Sequence, residues 1–176
     1  MRSLEKIAAA AMAALLATIA WSADAPQFGA PVTPADIAAW DISIGPDGAG
    51  LPPGRGTVRE GEAVYVAKCV ACHGEKGAGK PNDPLVGGIG TLAGDGVPVK
   101  TVGSFWPYAT TVFDYVRRAM PFNAPKSLSD DEVYAVTAYI LHLNGAIGED
   151  EILDARTLPQ VTMPNRNGFV RYAPGR

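Results

Sequence analysis

The stretch CVACH, residues 69–73, limits what this chain can fold into more than any other feature of its sequence. It holds both cysteines of the chain and one of its two histidines. Two thiols with this spacing, followed directly by an imidazole, are typical of covalent attachment to the two vinyl groups of a porphyrin. The motif therefore predicts one covalently bound haem, attached through Cys69 and Cys72, with His73 as the proximal iron ligand.

Other uses of a paired thiol fit the sequence less well. A zinc site usually takes four ligands, and beyond the motif only His142 remains as a histidine or cysteine. A thioredoxin-type dithiol belongs to a βαβ unit, and no such pattern surrounds the motif. A disulfide across so short a loop would remove little chain entropy and would not need a histidine at the next position. Haem c is therefore the predicted cofactor.

Helical patterns appear on both sides of the motif. The capping boxes Thr57–Glu60 and Ser129–Glu132 predict two helix starts, and a third helix is predicted over 109–118, with a short one over 34–40. Three- and four-residue spacing gives each of two helices one apolar face, made of Val112, Phe113 and Val116 in one and of Val133, Val136, Ile140 and Leu143 in the other. No convincing strand is predicted. The expected fold is all-α, with three to five helices and long loops around one haem, and irregular N- and C-terminal extensions.

The chain divides into four predicted segments. Residues 1–23 have a basic start and a short apolar run, which is typical of an export signal cleaved between residues 20 and 25. A Pro/Gly-rich arm is expected over 24–56, the haem domain over 57–145 and a polar tail over 146–176. The apolar run is shorter than the ~20 residues that span a bilayer. We therefore expect export to the periplasm and no membrane attachment after cleavage.

A second axial ligand is predicted at Met120. Pro121 prevents the preceding helix from continuing, so this methionine is expected on a turn that faces the haem. The alternatives are Met163 in the tail, His142 as a second histidine ligand, or no ligation at all, with Met120 filling a gap in the core.

Further contacts to the haem are candidates from residue type and position. The imidazole of His73 needs a partner for its second ring nitrogen, and the backbone carbonyl of Pro84 or Pro81 is available nearby in the sequence. The side chains that are candidates to contact the haem propionates are Trp106, Tyr108 and Arg118. Ordinary packing or solvation is the alternative for each of them.

The charge of the chain excludes one class of partner. A formal net charge of −3 leaves no basic footprint for nucleic acid. Basic residues do flank the two ligand segments, namely Lys76, Lys80, Arg117, Arg118 and Lys126. They are interpreted either as a rim that steers an acidic protein partner or as a solvated face.

Residues 57–145 resemble class I c-type cytochromes. The resemblance rests on CVACH, the later Met-Pro, and Gly61 and Tyr65 ahead of the motif, with Val136 and Tyr139 in the last helix. It implies that the first and last helices cross closely at the glycine, and that the protein is an electron carrier.

A narrower set of stretches looks like the cytochrome subunit of periplasmic sulfur and sulfite dehydrogenases. These are WDISIGPDGAGLPPGRGTV (40–58), LVGGIGTL (85–92), VKTVGSFWPYATTVFDYVRRAMPF (99–122) and, in the tail, TLPQVTMPNRNGF. The resemblance implies a molybdenum-cofactor dehydrogenase subunit as the electron donor, with a downstream cytochrome c or a terminal oxidase as acceptor. The sulfur dehydrogenase form carries two haems, whereas this chain has one CxxCH, which favours a one-haem form.

The leading hypothesis is an electron-transfer subunit of an oxidoreductase, not catalytic on its own. A freely diffusing shuttle cytochrome is the alternative. A haem enzyme would need an open iron site or a thiolate ligand, and no cysteine is left to supply a thiolate. A gas-sensing domain is the alternative without electron transfer. The arm and the tail are expected either to bind a partner or to wrap their own domain.

Overall fold

The computed structural model describes residues 29–170. It divides into two compact units, one up to Asp41 and one from Ile42. The predicted export signal, residues 1–23, lies outside the described residues. Among the residues that are described, no helix is long and apolar enough to cross a membrane.

Within its described residues, the first unit contains one short helix, α1 (Pro34–Trp40). Thr33 caps it: the Thr33 hydroxyl accepts a hydrogen bond from the backbone N–H of Asp36 at 3.2 Å, and the Asp36 carboxylate accepts one from the Thr33 N–H at 3.0 Å. The reciprocal pair satisfies amides that a helix start leaves without partners. The short helix predicted over 34–40 is therefore confirmed.

The second unit is mostly helical. Its α-helices are α2 (Val58–Lys68), α3 (Val70–His73), α4 (Val102–Phe105), α5 (Ala109–Ala119) and α6 (Asp130–Leu143). Single 3₁₀ turns cover Glu75–Gly77, Thr91–Ala93 and Leu158–Gln160, and two short strands are β1 (Arg55–Thr57) and β2 (Ile152–Asp154). Both predicted capping boxes are present, at the starts of α2 and α6.

Helix α6 lies at the centre of this unit. Every residue from Val133 to Leu141 is buried, not only the predicted apolar face. Helices α2 and α5 and strand β1 all pack against it, so no side of these turns meets solvent. The small or uncharged side chains over this stretch permit burial on every face.

The close crossing of α2 and α6 depends on Gly61. A Cβ at this position would collide with the carbonyl oxygen of Ala135 and with the Cβ of Tyr139. One turn further along α2, the rings of Tyr65 and Tyr139 pack with their centroids 5.3 Å apart. The predicted crossing of the two helices at the glycine is confirmed, with Ala135 beside Tyr139 as the contact, while Val136 is buried in the core.

The expectation of no strand is wrong. Strand β1 pairs antiparallel with β2, with Gly56 opposite Leu153. Strands of three residues are too short to show a period, and their pairing joins distant parts of the sequence, so no local pattern reveals it. Leu153, Leu158 and Met163 of the tail are buried in the core, so this part of the tail packs against its own unit.

Helix α5 buries the face that its sequence predicts, with Val112, Phe113 and Val116 in the core. The chain then becomes extended at Met120, with φ −119° and ψ 146°. A residue before proline disfavours helical geometry, so Pro121 accounts for the end of the helix.

Candidate haem-binding site

The two cysteines lie at the junction of two helices. Cys69 ends α2, donating its N–H to the carbonyl of Tyr65 at 2.8 Å, and it also opens the single turn of α3. Both thiols are free; Cys69 is half-buried and Cys72 is exposed. Burial raises the pKa of Cys69 to about 11. The short helix α3 and the residue that opens it thus carry two free thiols three positions apart, as the CxxC spacing predicts.

His73 ends α3 and is half-buried. Its Nδ1 atom is fully buried and has no hydrogen-bond partner among residues 29–170. The next residue, Gly74, turns the chain with φ +71°, and its carbonyl accepts a hydrogen bond from the Tyr65 hydroxyl at 2.8 Å. A buried ring nitrogen without a partner is unusual and indicates that the imidazole has a role beyond packing.

Residues 74–86 form a tightly bonded loop, which we call the proximal loop. The N–H of Gly79 donates to the carbonyl of His73 at 2.8 Å, and that of Asn82 donates to the carbonyl of Cys72 at 3.0 Å. The backbone carbonyls of Pro81 and Pro84 are the predicted hydrogen-bond acceptors for the second ring nitrogen of His73. Both prolines lie in this loop. Neither bonds His73 in this structure.

Met120 begins a second segment, residues 120–127, which we call the distal segment. Its side chain is half-buried and packs against the core, and its N–H donates to the carbonyl of Val116 at 3.1 Å. Two residues later, Phe122 is 83% exposed. The methionine is therefore held at the core boundary by the end of α5, in extended backbone just before a turn that the Ala124 N–H closes onto the Pro121 carbonyl at 2.9 Å.

The alternative ligands lie elsewhere. Met163 is only 1% exposed and is part of the protein's own core. His142 is half-buried in the last turn of α6, with Nδ1 3.3 Å from the carbonyl oxygen of Ile147.

The structure does not bring all the candidate propionate contacts together. Tyr108 immediately precedes α5, whereas Arg118 is in its last turn, about 15 Å further along at 1.5 Å per residue. The Nε atom of Arg118 donates to both carboxylate oxygens of Asp114 at 2.9 Å. The ring of Trp106 packs edge-on against that of Tyr115, with centroids 5.6 Å apart.

The basic residues around the ligand segments are only partly available to a partner. Arg117 pairs with Asp130 at 3.0 Å, so that its charge, like that of Arg118, is offset locally. Lys76 and Lys80 are exposed in the proximal loop, both with positive φ. Lys126 lies in the distal segment, also with positive φ. The arginine charges of the predicted rim are therefore offset, and Lys76 and Lys80 lie at its exposed surface.

Three polar residues near the site were missed by the sequence reasoning. The guanidinium of Arg166 lies 4.1 Å from the ring centroid of Tyr108, and the Asn165 side chain donates to the carbonyl of Phe105 at 2.7 Å. Asn144 donates to a carbonyl of the proximal loop. The tail shows no period that would place the first two, and the only signal for Asn144 is its position before Gly145.

The residues present fit a large apolar disc with one metal at its centre. Two free thiols, a thioether and a buried imidazole nitrogen that lacks a partner within residues 29–170 are available on two segments that border one core. Apolar side chains that reach this core and remain half-buried come from both sides of the site: Cys69, Val70, Leu85, Trp106, Met120 and Leu128.

Comparison with known proteins decides the family. Residues 56–140 match the model described as "Cytochrome C oxidase, cbb3-type, subunit III". A chain of the solved sulfane dehydrogenase SoxCD from Paracoccus pantotrophus is 44% identical, with a TM-score of 0.76, over 83% of this chain and 72% of that one. The chain belongs to the c-type cytochromes. The cytochrome is related to the subunits of sulfur dehydrogenases, and the all-α class I fold is confirmed.

Two curated relatives of the cytochrome are thiosulfate dehydrogenases. The one from Allochromatium vinosum is 30% identical over 72% of this chain and 43% of its own length. The one from Psychrobacter arcticus is 29% identical over 58% of this chain and 32% of its own length. The cytochrome thus spans less than half the length of the curated relatives it matches.

Proposed function

We propose that this cytochrome is a periplasmic carrier with one covalently attached haem c, which takes single electrons from a molybdenum-dependent sulfite or sulfur dehydrogenase. A downstream cytochrome c or a terminal oxidase would receive them. The similarity to a chain of SoxCD carries the proposal, because it is both high in identity and extends over most of the chain.

Four side chains hold the cofactor in this proposal. Cys69 and Cys72 would form the thioethers, and His73, the residue that follows, would bind the iron through its imidazole. Met120, at the end of α5, would bind the iron through its thioether. Bound haem c supplies a one-electron Fe(III)/Fe(II) couple, and a methionine ligand raises its potential, which suits an electron acceptor. The burial of Met163 in the protein core supports Met120 as the ligand.

The chain acts without catalysing the sulfur chemistry itself. Both of its cysteines belong to the attachment motif, so none remains as a thiolate ligand or nucleophile for a sulfur substrate. The relatives named thiosulfate dehydrogenase are more than twice as long as the matched region. They support sulfur oxidation as the setting and make thiosulfate the second substrate to test.

The test uses the complex recovered from the periplasm through a tag on this chain. Sulfite is added, and haem reduction is followed at the α band, with the isolated cytochrome as the control. Rapid reduction in the complex alone is the expected result. A cytochrome that purifies without a partner, and is reduced by ascorbate but by neither sulfite nor thiosulfate, would instead indicate a free shuttle.

A separate measurement tests the cofactor. One haem per chain is expected from the pyridine haemochrome assay, and it should remain attached after denaturation and acid–acetone extraction. The Cys69→Ala and Cys72→Ala variants should each lose one thioether, which shifts the haemochrome band. Haem that is fully extracted from the wild type would contradict covalent attachment.

A further inference from the structure

Tyr65 connects helix α2 to the turn that follows His73. It lies one turn after Gly61 on α2 and is only 1% exposed. Its hydroxyl donates a hydrogen bond to the carbonyl of Gly74 at 2.8 Å. Burial raises the pKa of Tyr65 to about 12, so the hydroxyl keeps its proton and remains a donor at neutral pH. The residue that accepts this bond is the direct neighbour of the proposed iron ligand.

The backbone of His73 is bonded on both sides. Its N–H donates to the carbonyl of Cys69 at 3.0 Å, and its own carbonyl accepts from the N–H of Gly79 at 2.8 Å. The Nδ1 atom of its imidazole has no hydrogen-bond partner within residues 29–170, so no hydrogen bond at that atom orients the ring. The direction of the imidazole therefore depends on its packing and on the backbone that carries it.

The Tyr65 hydroxyl acts on this backbone at Gly74. Gly74 has φ +71° and ψ 170°, and a Cβ there would collide with the carbonyl oxygen of Gly79. The turn therefore brings Gly74 close to the residue whose N–H bonds the His73 carbonyl. The Gly74 carbonyl also accepts from the N–H of Gly77, but at 3.3 Å. The bond from Tyr65 is the shorter of the two, and it ties the turn to a helix outside the proximal loop.

The ring and the hydroxyl of Tyr65 contact different elements. The ring packs against that of Tyr139 of α6, with centroids 5.3 Å apart, where α2 and α6 cross. A phenylalanine ring could make this contact, so the helix crossing does not require a hydroxyl. A buried hydroxyl costs free energy unless it forms a hydrogen bond. The bond to Gly74 is therefore what the hydroxyl adds to this side chain.

We propose that Tyr65 is a positioning residue for the proximal ligand, because its hydroxyl holds the turn at Gly74 closed and so keeps the His73 imidazole directed at the iron. This rests on the proposed function in that His73 is taken as the iron ligand. When the turn opens, the bond from Gly79 to the His73 carbonyl is released. Loss of the hydroxyl should increase the population of the open turn about fivefold, as expected for one ordinary hydrogen bond.

The test compares haem-loaded wild type with the Tyr65→Phe variant, which keeps the ring and removes only the hydroxyl. Amide hydrogen exchange, followed by NMR of the ferrous protein, reports opening of the turn. The Gly79 amide should exchange about fivefold faster relative to the Leu141 amide in the core of α6. The iron–histidine stretching band, recorded in a Met120→Ala background, reports the ligand itself. It should move to lower frequency and broaden, because a less firmly oriented imidazole binds the iron more weakly.

Two further variants separate positioning from general damage. Tyr139→Phe removes the other hydroxyl of the aromatic pair, which interacts with Glu62 of α2. Both readouts should stay at their wild-type values in this matched control. Gly74→Ala disturbs the same turn and leaves Tyr65 in place, since a Cβ there would collide with the Gly79 carbonyl oxygen. It should change both readouts in the same direction as Tyr65→Phe.

The outcomes are distinguishable. If Tyr65→Phe lowers the melting temperature but leaves the iron–histidine band unchanged, the hydroxyl only stabilises the fold and the inference is wrong. The inference is also wrong if Tyr139→Phe shifts the band equally, because the effect then comes from the helix crossing. A wild-type chain without covalent haem would overturn this inference together with the proposed function. A shifted band in a protein that no sulfur compound reduces would support the positioning role and remove the dehydrogenase partner.

Discussion

The two segments that carry the proposed iron ligands are held in different ways. The proximal loop bonds to α3 and to the first residue of α4, and the side chains of Asn144 and Tyr65 bond to its backbone. The backbone bonds of the distal segment are local, from Met120 to the preceding turn and from Ala124 and Ser127 to carbonyls three residues earlier. The proximal loop next to His73 is thus bonded to several other elements, whereas the distal segment with Met120 is bonded through its backbone to itself and to the end of α5.

The largest expected effect is at the histidine. We predict that His73→Ala lowers the yield of haem-loaded protein by more than ~10-fold, since removing even an outer partner of a ligand costs that much in many metal sites. The measurement is haem per chain in purified protein, with Met120→Ala as the matched variant. If His73→Ala and Met120→Ala lowered the haem content equally, the proposed difference between the proximal loop and the distal segment would be wrong.

Met120→Ala should keep the haem and change its chemistry. We expect the potential to fall by about 0.1 V or more, within the ~0.8 V range that axial ligands set, and the ferrous form to gain carbon monoxide binding. The melting temperature of the apoprotein should change little, because the side chain is only half-buried. Unchanged carbon monoxide binding would assign the sixth position to another residue, and Met163→Leu is the control.

A substitution in the proximal loop should also lower the free energy of unfolding more than one in the distal segment. Gly77 has φ +73°, and a Cβ there would lie 2.7 Å from a methyl group of Val86. We predict that Gly77→Ala lowers the free energy of unfolding by about 1–2 kcal/mol. Phe122→Ala, at an exposed position of the distal segment, should change it by no more than ~0.5 kcal/mol. Urea titrations of the two variants compare them directly; a larger loss at Phe122 would contradict the local character of that segment.

The smallest expected effect is the loss of folding stability in acid that comes from the capping carboxylates of α2 and α6. Hydrogen bonds from the side chain and then the backbone of Thr57 lower the pKa of Glu60, and the backbone N–H of Ser129, followed by Lys68, lowers that of Glu132. A lowered folded-state pKa contributes stability that is complete above the usual value of 4.5 and is lost as the pH falls through the folded value.

Unfolding measured at a series of pH values should therefore show a constant contribution above about pH 5 and a decline below 4.5. Thr57→Ala should cost about 1 kcal/mol at neutral pH and make this decline shallower, because it removes the cap that lowers the Glu60 pKa. An unchanged acid slope in that variant would show that the two carboxylates do not set it.

The helices were predictable where a local signal exists. Thr57–Glu60 and Ser129–Glu132 mark two starts, Pro121 marks the end of α5, and Gly145 has the positive φ, +69°, that its position after α6 suggests. The haem motif was equally local, since CVACH contains its own spacing. The roles of Cys69, Cys72 and His73 rest on that one stretch and stay predictions.

The remaining features depend on distant contacts. Burial of α6 on all sides follows from the elements that surround it, and the pairing of Gly56 with Leu153 joins opposite ends of the unit. The amide of Asn144 meets Leu85 only in the folded chain. The sequence also grouped Arg118 with Tyr108, but they lie at opposite ends of α5, and Arg118 forms an ion pair with Asp114. The segment boundaries at residues 57 and 145 stay predictions.

The ladder between β1 and β2 has a consequence for the order of folding. It joins residues about 100 positions apart, so its loop-closure entropy is paid before its contacts contribute, and such contacts form late. In the proposed exported form of the chain, CVACH would cross the membrane long before β2. The proposed haem attachment would then precede closure of the sheet, and the tail would complete a unit that already carries its cofactor.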